Sequence, residues 1–295
     1  MLRSLLVSLR AGAAFLLVAL NTVLHASPLL ALALVKVLMP LAAWRRRIGG
    51  ALTVIAQSWV GVNSRLIRAG GTRVHVTGDD GLRRDGWYLV VCNHQSWVDI
   101  PILQLVFHGR IPMLKFFLKR ELIFVPVLGL AWWALDFPFM RRYSRAELEK
   151  RPHLRGKDLQ ATQKACEKFR ELPVAVMNFV EGTRFTPAKH ARQSSPYANL
   201  LLPRAGGVAF VIQAMRPLLQ TLLDVSVVYP QGRPTLYDLL AGRVREVHVH
   251  VQERTVPAEF ADGDYENDAA FRARFQEWIN GLWRDKDARI ATLQR

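Results

Sequence analysis

A histidine and an aspartate five residues apart are the side chains in this sequence best suited to proton transfer. His94 and Asp99 lie in the segment 92–99 (CNHQSWVD), which follows an apolar run and opens a helical pattern. On one continuous helix, residues five apart face different sides because a turn takes about 3.6 residues. The two side chains therefore meet only if His94 precedes the helix and Asp99 lies in its first turn. A carboxylate on one imidazole nitrogen fixes the tautomer and raises the basicity of the other nitrogen, so His94 is a candidate general base.

Other interpretations of this segment stay open. Ser96-x-x-Asp99 matches a helix capping box, in which Asp99 is a cap and His94 a polar loop residue. A metal site at His94 and Asp99 lacks a third ligand nearby. Ser96 is a possible nucleophile, but no nucleophile elbow surrounds it. Cys92 lies inside the apolar run, which favours packing over chemistry.

A second polar segment, 179–184 (FVEGTR), also follows an apolar run. Gly182 permits a sharp turn and a close approach of the backbone. Thr183 and Arg184 supply hydrogen-bond donors, and Arg184 can bind a phosphate bidentately. Glu181 could accept a hydrogen bond from a glycerol hydroxyl or orient an arginine. A surface turn with a solvated glutamate and arginine is the alternative, but pairing with the His94 segment favours one shared site.

Two arginines end the apolar stretch that lies between these segments. Arg141 and Arg142 follow a stretch containing Trp132 and Trp133, which belongs either to the core or to a lipid-facing surface, where tryptophan is favoured. The arginines are placed to hold an anionic head group, with a charged, solvated turn as the alternative. The basic stretch 141–155 is predicted to be a solvated connection facing a membrane.

The elements that must position these residues follow an α/β pattern. Strands are predicted at 73–77, 87–92, 174–179, 222–229 and 244–251, and helices at 99–109, 156–171, 204–215 and 268–290. Strands that alternate with helices predict a mixed, mostly parallel sheet flanked by helices. In such sheets ligands bind at the carboxyl ends of the strands, where both polar segments fall.

The N-terminus predicts a membrane anchor. Residues 11–43 are almost wholly apolar, with a break at 25–28 that leaves segments of about 11–24 and 29–43. Each is shorter than the roughly 20 residues of a full span. Arginines at both outer ends place both ends on the cytoplasmic side and predict a membrane-embedded hairpin that turns at Pro28. A cleaved signal peptide, or one spanning helix with an interfacial one, are the alternatives. The predicted domains are a hairpin over 1–47 and an α/β domain with a C-terminal helix over 48–295.

Composition narrows the class of partner. The 295 residues suit one catalytic domain with a small accessory element, and the net charge of +16 predicts a polyanionic partner. The hydrophobic fraction of 51% favours an anionic membrane surface over nucleic acid, because the basic residues are scattered and no nucleic-acid motif occurs. Two cysteines without a C-x-x-C pair favour free thiols in a cytoplasm-facing domain.

Together these residues resemble the glycerophospholipid acyltransferase family, which includes the 1-acylglycerol-3-phosphate acyltransferases. Its motifs are N-H-x-x-x-x-D, an arginine motif, F-P-E-G-T-R and a strand that ends in proline. They match Asn93, His94 and Asp99; 139–142 (FMRR); 179–184, with Val180 in place of proline; and 228–230 (VYP). Two segments in the C-terminal part of the chain, 247–251 (VHVHV) and 283–287 (WRDKD), resemble sequences of the branch that contains lysocardiolipin acyltransferases and an uncharacterised bacterial group.

The resemblance implies a mechanism in which His94, supported by Asp99, deprotonates an acceptor hydroxyl that attacks the thioester of acyl-CoA or acyl-carrier protein. Glu181, Gly182, Thr183 and Arg184 would bind the acceptor, a lysophospholipid such as 1-acyl-glycerol-3-phosphate. Arg142, or Arg141 if the alignment slips by one, would bind its phosphate. No cofactor beyond the acyl donor, no metal and no nucleic acid are implied. We expect a bacterial cytoplasmic membrane with the site facing the cytoplasm.

Two rival functions remain at this level. One is a metal-assisted membrane hydrolase that uses His94, Asp99 and either His25 or His108. The other is a basic, membrane-tethered protein that binds lipid or nucleic acid without catalysis.

Overall fold

Two long helices precede the sheet. The computed structural model describes residues 2–39, 41–140, 169, 172–215, 218–219, 221–261 and 263–294. Helix α1 is Leu2–Leu38 and helix α2 is Ala42–Ala69. They run antiparallel, because Arg10 reaches the carbonyl of Gly70 while Asn21 donates to the carbonyl of Trp59 at 3.2 Å. The chain thus begins with a pair of packed helices.

The turn predicted at Pro28 is wrong. Pro28 lies inside α1, which continues for ten residues beyond it and ends at Leu38. A proline inside a helix removes one backbone hydrogen bond. The helix continues because Ala26, Leu29 and Ala33 form a buried stripe at helical spacing on both sides of the proline. The domain boundary predicted after residue 47 falls within α2 and stays a prediction.

Within the residues that the structure describes, six strands form the main sheet. They are β1 (Arg73–Thr77), β2 (Tyr88–Cys92), β3 (Leu114–Phe116), β6 (Ala175–Phe179), β7 (Thr221–Val228) and β8 (Glu246–Thr255), in the order β1-β8-β7-β2-β6-β3. Strands β4 (Leu118–Lys119) and β5 (Phe139–Met140) pair separately. Four of the five pairs in the main sheet are parallel, and β7 with β8 is antiparallel. The predicted mixed, mostly parallel sheet is confirmed.

Helices cover both faces of this sheet. In the described part of the chain, the other helices are α3 (Asp99–Phe107), α4 (Leu128–Ala134), α5 (Pro187–Gln193), α6 (Gly206–Met215), α7 (Leu236–Leu240), α8 (Ala258–Ala261) and α9 (Ala269–Leu293), with a 3-10 turn at Arg120–Phe124. On β2, Val90 and Cys92 join the core beneath α1, α2 and α3, while Leu89 and Val91 join the core beneath α6 and α9. Burial on both faces explains why β2 is a continuous apolar run.

Every predicted strand and helix that falls within the described residues is present in the structure, but several of the observed elements were not predicted. The five predicted strands are present with ends that differ by up to four residues, but the short β3 was not predicted. Residues 48–69 were not assigned to a helix, although Ile48, Leu52, Ala56 and Val60 recur every four residues on the buried side of α2. The helix predicted at 156–171 and the basic connection at 141–155 lie outside the described residues, apart from Phe169.

Candidate active site

His94 and Asp99 meet where β2 leads into α3. His94 lies in the loop after β2, and Asp99 is the first residue of α3, as their spacing predicts. The Nδ1 atom of His94 lies 2.8 Å from Oδ2 of Asp99. The Asp99 side chain is fully buried, whereas 12% of the His94 side chain is exposed. With Nδ1 on the carboxylate, Nε2 is the nitrogen left to face a reacting group.

Asp99 also holds the backbone of the loop. Its Oδ2 accepts the N–H groups of Gln95 at 2.7 Å and Ser96 at 2.9 Å. The bond from Ser96 is half of the capping box considered above, but the Ser96 hydroxyl accepts from Val98 at 3.1 Å and donates to the carbonyl of Pro234. The capping box is therefore incomplete, and the helix that begins at Asp99 has no side-chain cap, whereas the Asp99 carboxylate holds both the loop backbone and the imidazole.

The imidazole ring is fixed on its face as well as its edge. The ring of His94 stacks on Phe179, the last residue of β6, with centroids 3.9 Å apart and planes 12° apart. Phe179 stacks in turn on Phe116 of β3 at 6.2 Å. A carboxylate on one nitrogen and an aromatic face beneath the ring together leave the imidazole a single orientation.

Asn93 anchors the start of the loop to β7. Its side chain is fully buried; Nδ2 donates to the carbonyl of Val227 and Oδ1 accepts the N–H of Val227, both at 2.9 Å. The backbone pairing of β2 with β7 ends at Cys92, and the Asn93 side chain adds two more hydrogen bonds to β7 just beyond it. The asparagine of the N-H-x-x-x-x-D motif thus fixes the backbone from which His94 projects.

Glu181 braces the same loop from the neighbouring strand. Its side chain is fully buried; Oε1 accepts the N–H of His94 at 3.2 Å and Oε2 accepts the N–H of Leu201 at 3.3 Å. Burial, helped by the nearby charge of Asp99, raises the pKa of the Glu181 carboxyl to about 8 against the opposing effect of the two N–H donors. These contacts are with backbone, and the predicted contact with an acceptor hydroxyl stays a prediction.

The turn after β6 depends on Gly182. Its φ is +68°, and its N–H donates to the carbonyl of Phe179 at 2.8 Å. A Cβ at this position would lie 3.3 Å from the Arg204 side chain, so both conformation and space favour glycine. Two residues beyond Thr183, the N–H of Phe185 donates to the carbonyl of His94 at 2.7 Å. This bond joins the two motifs.

Cationic side chains lie beside the joined motifs. The guanidinium of Arg184 lies over the ring of Trp97, 4.6 Å from its centroid. The ammonium of Lys189 donates to the Thr183 hydroxyl at 2.7 Å and to the Arg184 carbonyl at 2.9 Å. Trp97 and Lys189 were not predicted, although each lies within five residues of a recognised motif residue. Charge-assisted bonds from such groups suit a phosphate.

Two predicted residues cannot be placed. Arg141 and Arg142 lie outside the described residues, immediately after β5, and their head-group role stays a prediction. Of the residues in the metal alternative, His25 bonds Ser58 of α2 at 3.1 Å, and the His108 ring lies against Gly61 of α2. Within the described residues, no cluster of three or more histidine, cysteine, aspartate or glutamate side chains could hold a metal ion.

Comparison with known protein families identifies the family to which this chain belongs. A sequence model of the Acyltransferase family matches residues 73–230, more than half of the chain, so the chain belongs to this family. The match contains both polar motifs and all of β2, β6 and β7.

Among individual relatives, the chain is 28% identical over 200 residues to 1-acyl-sn-glycerol-3-phosphate acyltransferase 2 of Brassica napus, which covers 62% of this chain and 48% of that protein. It is 26% identical over 214 residues to 1-acyl-sn-glycerol-3-phosphate acyltransferase delta of Mus musculus, which covers 68% and 51%. The chain thus spans about half the length of the curated relatives it matches. The crystal structure of the 1-acyl-sn-glycerophosphate acyltransferase PlsC from Thermotoga maritima aligns with a TM-score of 0.49 and 19% identity, over 94% of this chain and 98% of that chain.

Proposed function

We propose that this chain transfers a fatty acyl group from acyl-CoA or acyl-carrier protein to the free hydroxyl of 1-acyl-glycerol-3-phosphate or a related lysophospholipid. The observation that carries this proposal is the imidazole of His94, held by Asp99 and stacked on Phe179 at the carboxyl edge of the sheet. Membership of the Acyltransferase family supports acyl transfer as the reaction. The names of the relatives support a lysophospholipid as the acceptor.

The chemistry requires one base and no covalent enzyme intermediate. Nε2 of His94 takes the proton of the acceptor hydroxyl while its oxygen bonds to the thioester carbonyl carbon. The tetrahedral intermediate then expels the thiolate as the carbon–sulfur bond breaks, and the imidazolium returns its proton to the thiolate. Asp99 stabilises the imidazolium and keeps Nδ1 protonated throughout.

The anionic end of the acceptor fits the cationic side of the site. Arg184 lies over Trp97, close to the loop that carries His94, and Lys189 bonds the turn that carries Arg184. An arginine fixed by stacking can bind a phosphate with little further loss of conformational freedom. Arg142, or Arg141, would add a second contact as the family resemblance implies.

The acceptor reaches this site from a membrane. Helix α1 is long and apolar enough to cross one, and only 17% of its most apolar window is buried. Yet α1 contacts the α/β part at both ends: Ser8 bonds Tyr237 of α7 at 3.3 Å, and Lys36 bonds Asp136 at 2.7 Å. These contacts lie roughly 42 Å apart along the helix at 1.5 Å per residue. We infer that α1 lies along the bilayer surface with its outer face in lipid, which replaces the predicted hairpin as the form of the anchor.

Acyl transfer in isolated membranes tests the proposal. Membranes containing the protein would receive labelled acyl-CoA or acyl-carrier protein and a panel of lysophospholipids. We expect labelled diacyl product and a loss of about 10²–10⁴-fold in His94→Ala, because the general base is gone. His75→Ala, which changes an exposed histidine of β1, is the matched control and should retain activity.

Absence of labelled product from the wild type with both donors and the whole panel would contradict the proposal. Equal activity in His94→Ala and wild type would remove the histidine from the reaction. Chelator-sensitive release of the acyl group to water would favour the hydrolase.

A further inference from the structure

Tyr229 bonds the side of Asp99 that faces away from His94. The hydroxyl of Tyr229 lies 2.7 Å from Oδ1 of Asp99, while Oδ2 takes His94 and the two backbone N–H groups. Only 7% of Tyr229 is exposed. Among the sequence motifs, Tyr229 counted only as part of a strand that ends in proline, and the proposed mechanism gives it no role.

The register between β2 and β7 places the Tyr229 hydroxyl next to Asp99. Strands β2 and β7 run parallel with Cys92 opposite Val225, and the Asn93 side chain carries the pairing on to Val227. Tyr229 follows β7 directly and therefore reaches the loop that holds His94 and Asp99. Burial, followed by the charge of Asp99, raises the pKa of the phenol well above its usual value. The phenol therefore stays protonated and remains a donor.

We propose that Tyr229 is a positioning residue that sets how strongly Asp99 holds a proton on His94. A charge-assisted O–H···O⁻ bond draws the negative charge of the carboxylate towards Oδ1. Without this donor, the buried charge of Asp99 is balanced mainly by the imidazolium form of His94. Since a general base must be neutral when it acts, Tyr229 keeps His94 active at lower pH. The catalytic part of this inference rests on the proposed function; the coupling between Tyr229 and His94 does not.

Other ionisable groups surround this pair and must be separated from Tyr229. In the described part of the chain they are Cys92 on β2, Glu181 after β6, Asp224 on β7 and Lys286 on α9. Burial raises the pKa of Cys92 well above its usual value, so its thiol stays neutral, and Lys286 is paired with Asp224. Burial raises the pKa of Glu181 to about 8. All four groups are retained when Tyr229 is replaced, so a difference between variants isolates the phenol.

The test follows the titration of His94 itself. Histidine-labelled protein in detergent micelles would be titrated by NMR as wild type and Tyr229→Phe, with His94→Gln to assign the resonance. We expect the midpoint of the His94 titration to rise by about one pH unit in Tyr229→Phe, the size expected for one lost bond to a charged group. The acid limb of the acyl-transfer rate should move by the same amount, while the rate at high pH changes by less than about threefold.

Tyr88→Phe is the matched control. Tyr88 is another buried tyrosine of the sheet, at the opposite end of β2, and its hydroxyl accepts the N–H of Arg83 at 2.9 Å. Its replacement should leave the His94 midpoint in place. If Tyr229→Phe does not fold, 3-fluorotyrosine at position 229 gives the opposite test. The fluorinated phenol is a stronger donor and should lower the midpoint.

The outcomes separate cleanly. An unchanged midpoint in a folded Tyr229→Phe protein, or an equal loss of activity at every pH, overturns the inference and leaves Tyr229 as packing. A shifted midpoint in a protein that transfers no acyl group, even as wild type, supports the coupling and contradicts the proposed function. A shifted midpoint with a shifted acid limb supports both.

Discussion

The first and last long helices reverse the usual relation between polarity and burial. Among the described residues, helix α1 is the only helix long and apolar enough to cross a membrane, yet 67% of Leu16 is exposed on it. Helix α9 is rich in charged residues, yet Trp283 and Lys286 on it are fully buried. The two helices have comparable lengths, 37 and 25 residues, so length does not account for the difference.

The difference shows that burial follows the partner available to a side chain. The ammonium of Lys286 lies 2.5 Å from Asp224, and Arg289 lies 3.3 Å from the same carboxylate. A buried charge with a hydrogen-bonded counter-ion is tolerated. The outer leucines of α1 project away from the sheet and suit the lipid of the proposed membrane surface. Thus the charged side chains of α9 find their partners inside the protein, whereas the outer leucines of α1 find theirs in the surrounding lipid.

Removing the counter-ion of α9 should have the largest effect on stability. Asp224→Leu leaves Lys286 buried without its carboxylate, and we expect the free energy of unfolding to fall by about 3–5 kcal/mol. Denaturant unfolding in detergent measures this. Asp285→Ala, which removes an exposed partner of Arg254, is the control and should cost less than about 1 kcal/mol. A similar small loss in both variants would mean that α9 does not depend on the buried pair.

A second buried carboxylate sharpens the comparison, because within the described ranges no lysine or arginine forms an ion pair with Glu181, whereas Asp224 pairs with Lys286. Desolvation would raise the pKa of Asp224, but Lys286, Arg289 and Arg254 hold that pKa below its usual value. Burial instead raises the pKa of Glu181 from 4.5 to about 8. Between these pH values the folded state keeps a proton that the unfolded state releases. This carboxyl should therefore lower the free energy of unfolding as pH rises from 5 to 8, whereas His108 and His250, whose pKa values are lowered by burial, contribute in the opposite direction.

We expect this decrease to be roughly 2–3 kcal/mol, below the full linkage value because the buried site relaxes. Unfolding of wild type and Glu181→Gln at pH 5 and pH 8 measures it, and the decrease should be smaller in the variant. The paired Asp224 adds no slope in this window, because its stabilisation is lost only as pH falls below its unfolded value. Because the histidines are the same in both proteins, an equal change with pH in wild type and Glu181→Gln would place a counter-charge at Glu181.

The smallest expected effect concerns the exposed face of α1. Leu16→Ser should leave folding stability within about 0.5 kcal/mol, as at any exposed position. It should weaken vesicle binding by about 1–2 kcal/mol, the value of burying one leucine. Vesicle flotation measures the binding, with Leu202→Ser, an exposed leucine outside α1, as control. Equal binding of both variants would mean that this face of α1 does not enter lipid.

Much of the site could be predicted from the sequence because its central contact is local. His94 and Asp99 are five residues apart, so a turn followed by a helix start is enough to join them. Because each motif follows an apolar run, β2 or β6, the sequence also predicted that both motifs lie at the same edge of the sheet. By contrast, the break predicted at Pro28 followed a local rule that packing against α2 overrides.

The sequence by itself determined five strands of the main sheet, the sheet class and the possibility of a contact between His94 and Asp99, because periodicity and short spacing are properties of neighbouring residues. Only the tertiary structure decided that Glu181 bonds the N–H of His94, that Tyr229 bonds Asp99 from 130 residues away, and that Lys286 is buried on Asp224. These contacts depend on strand order and register. They join segments whose separation along the chain carries no periodic signal, and burial then fixes the charge that each group holds.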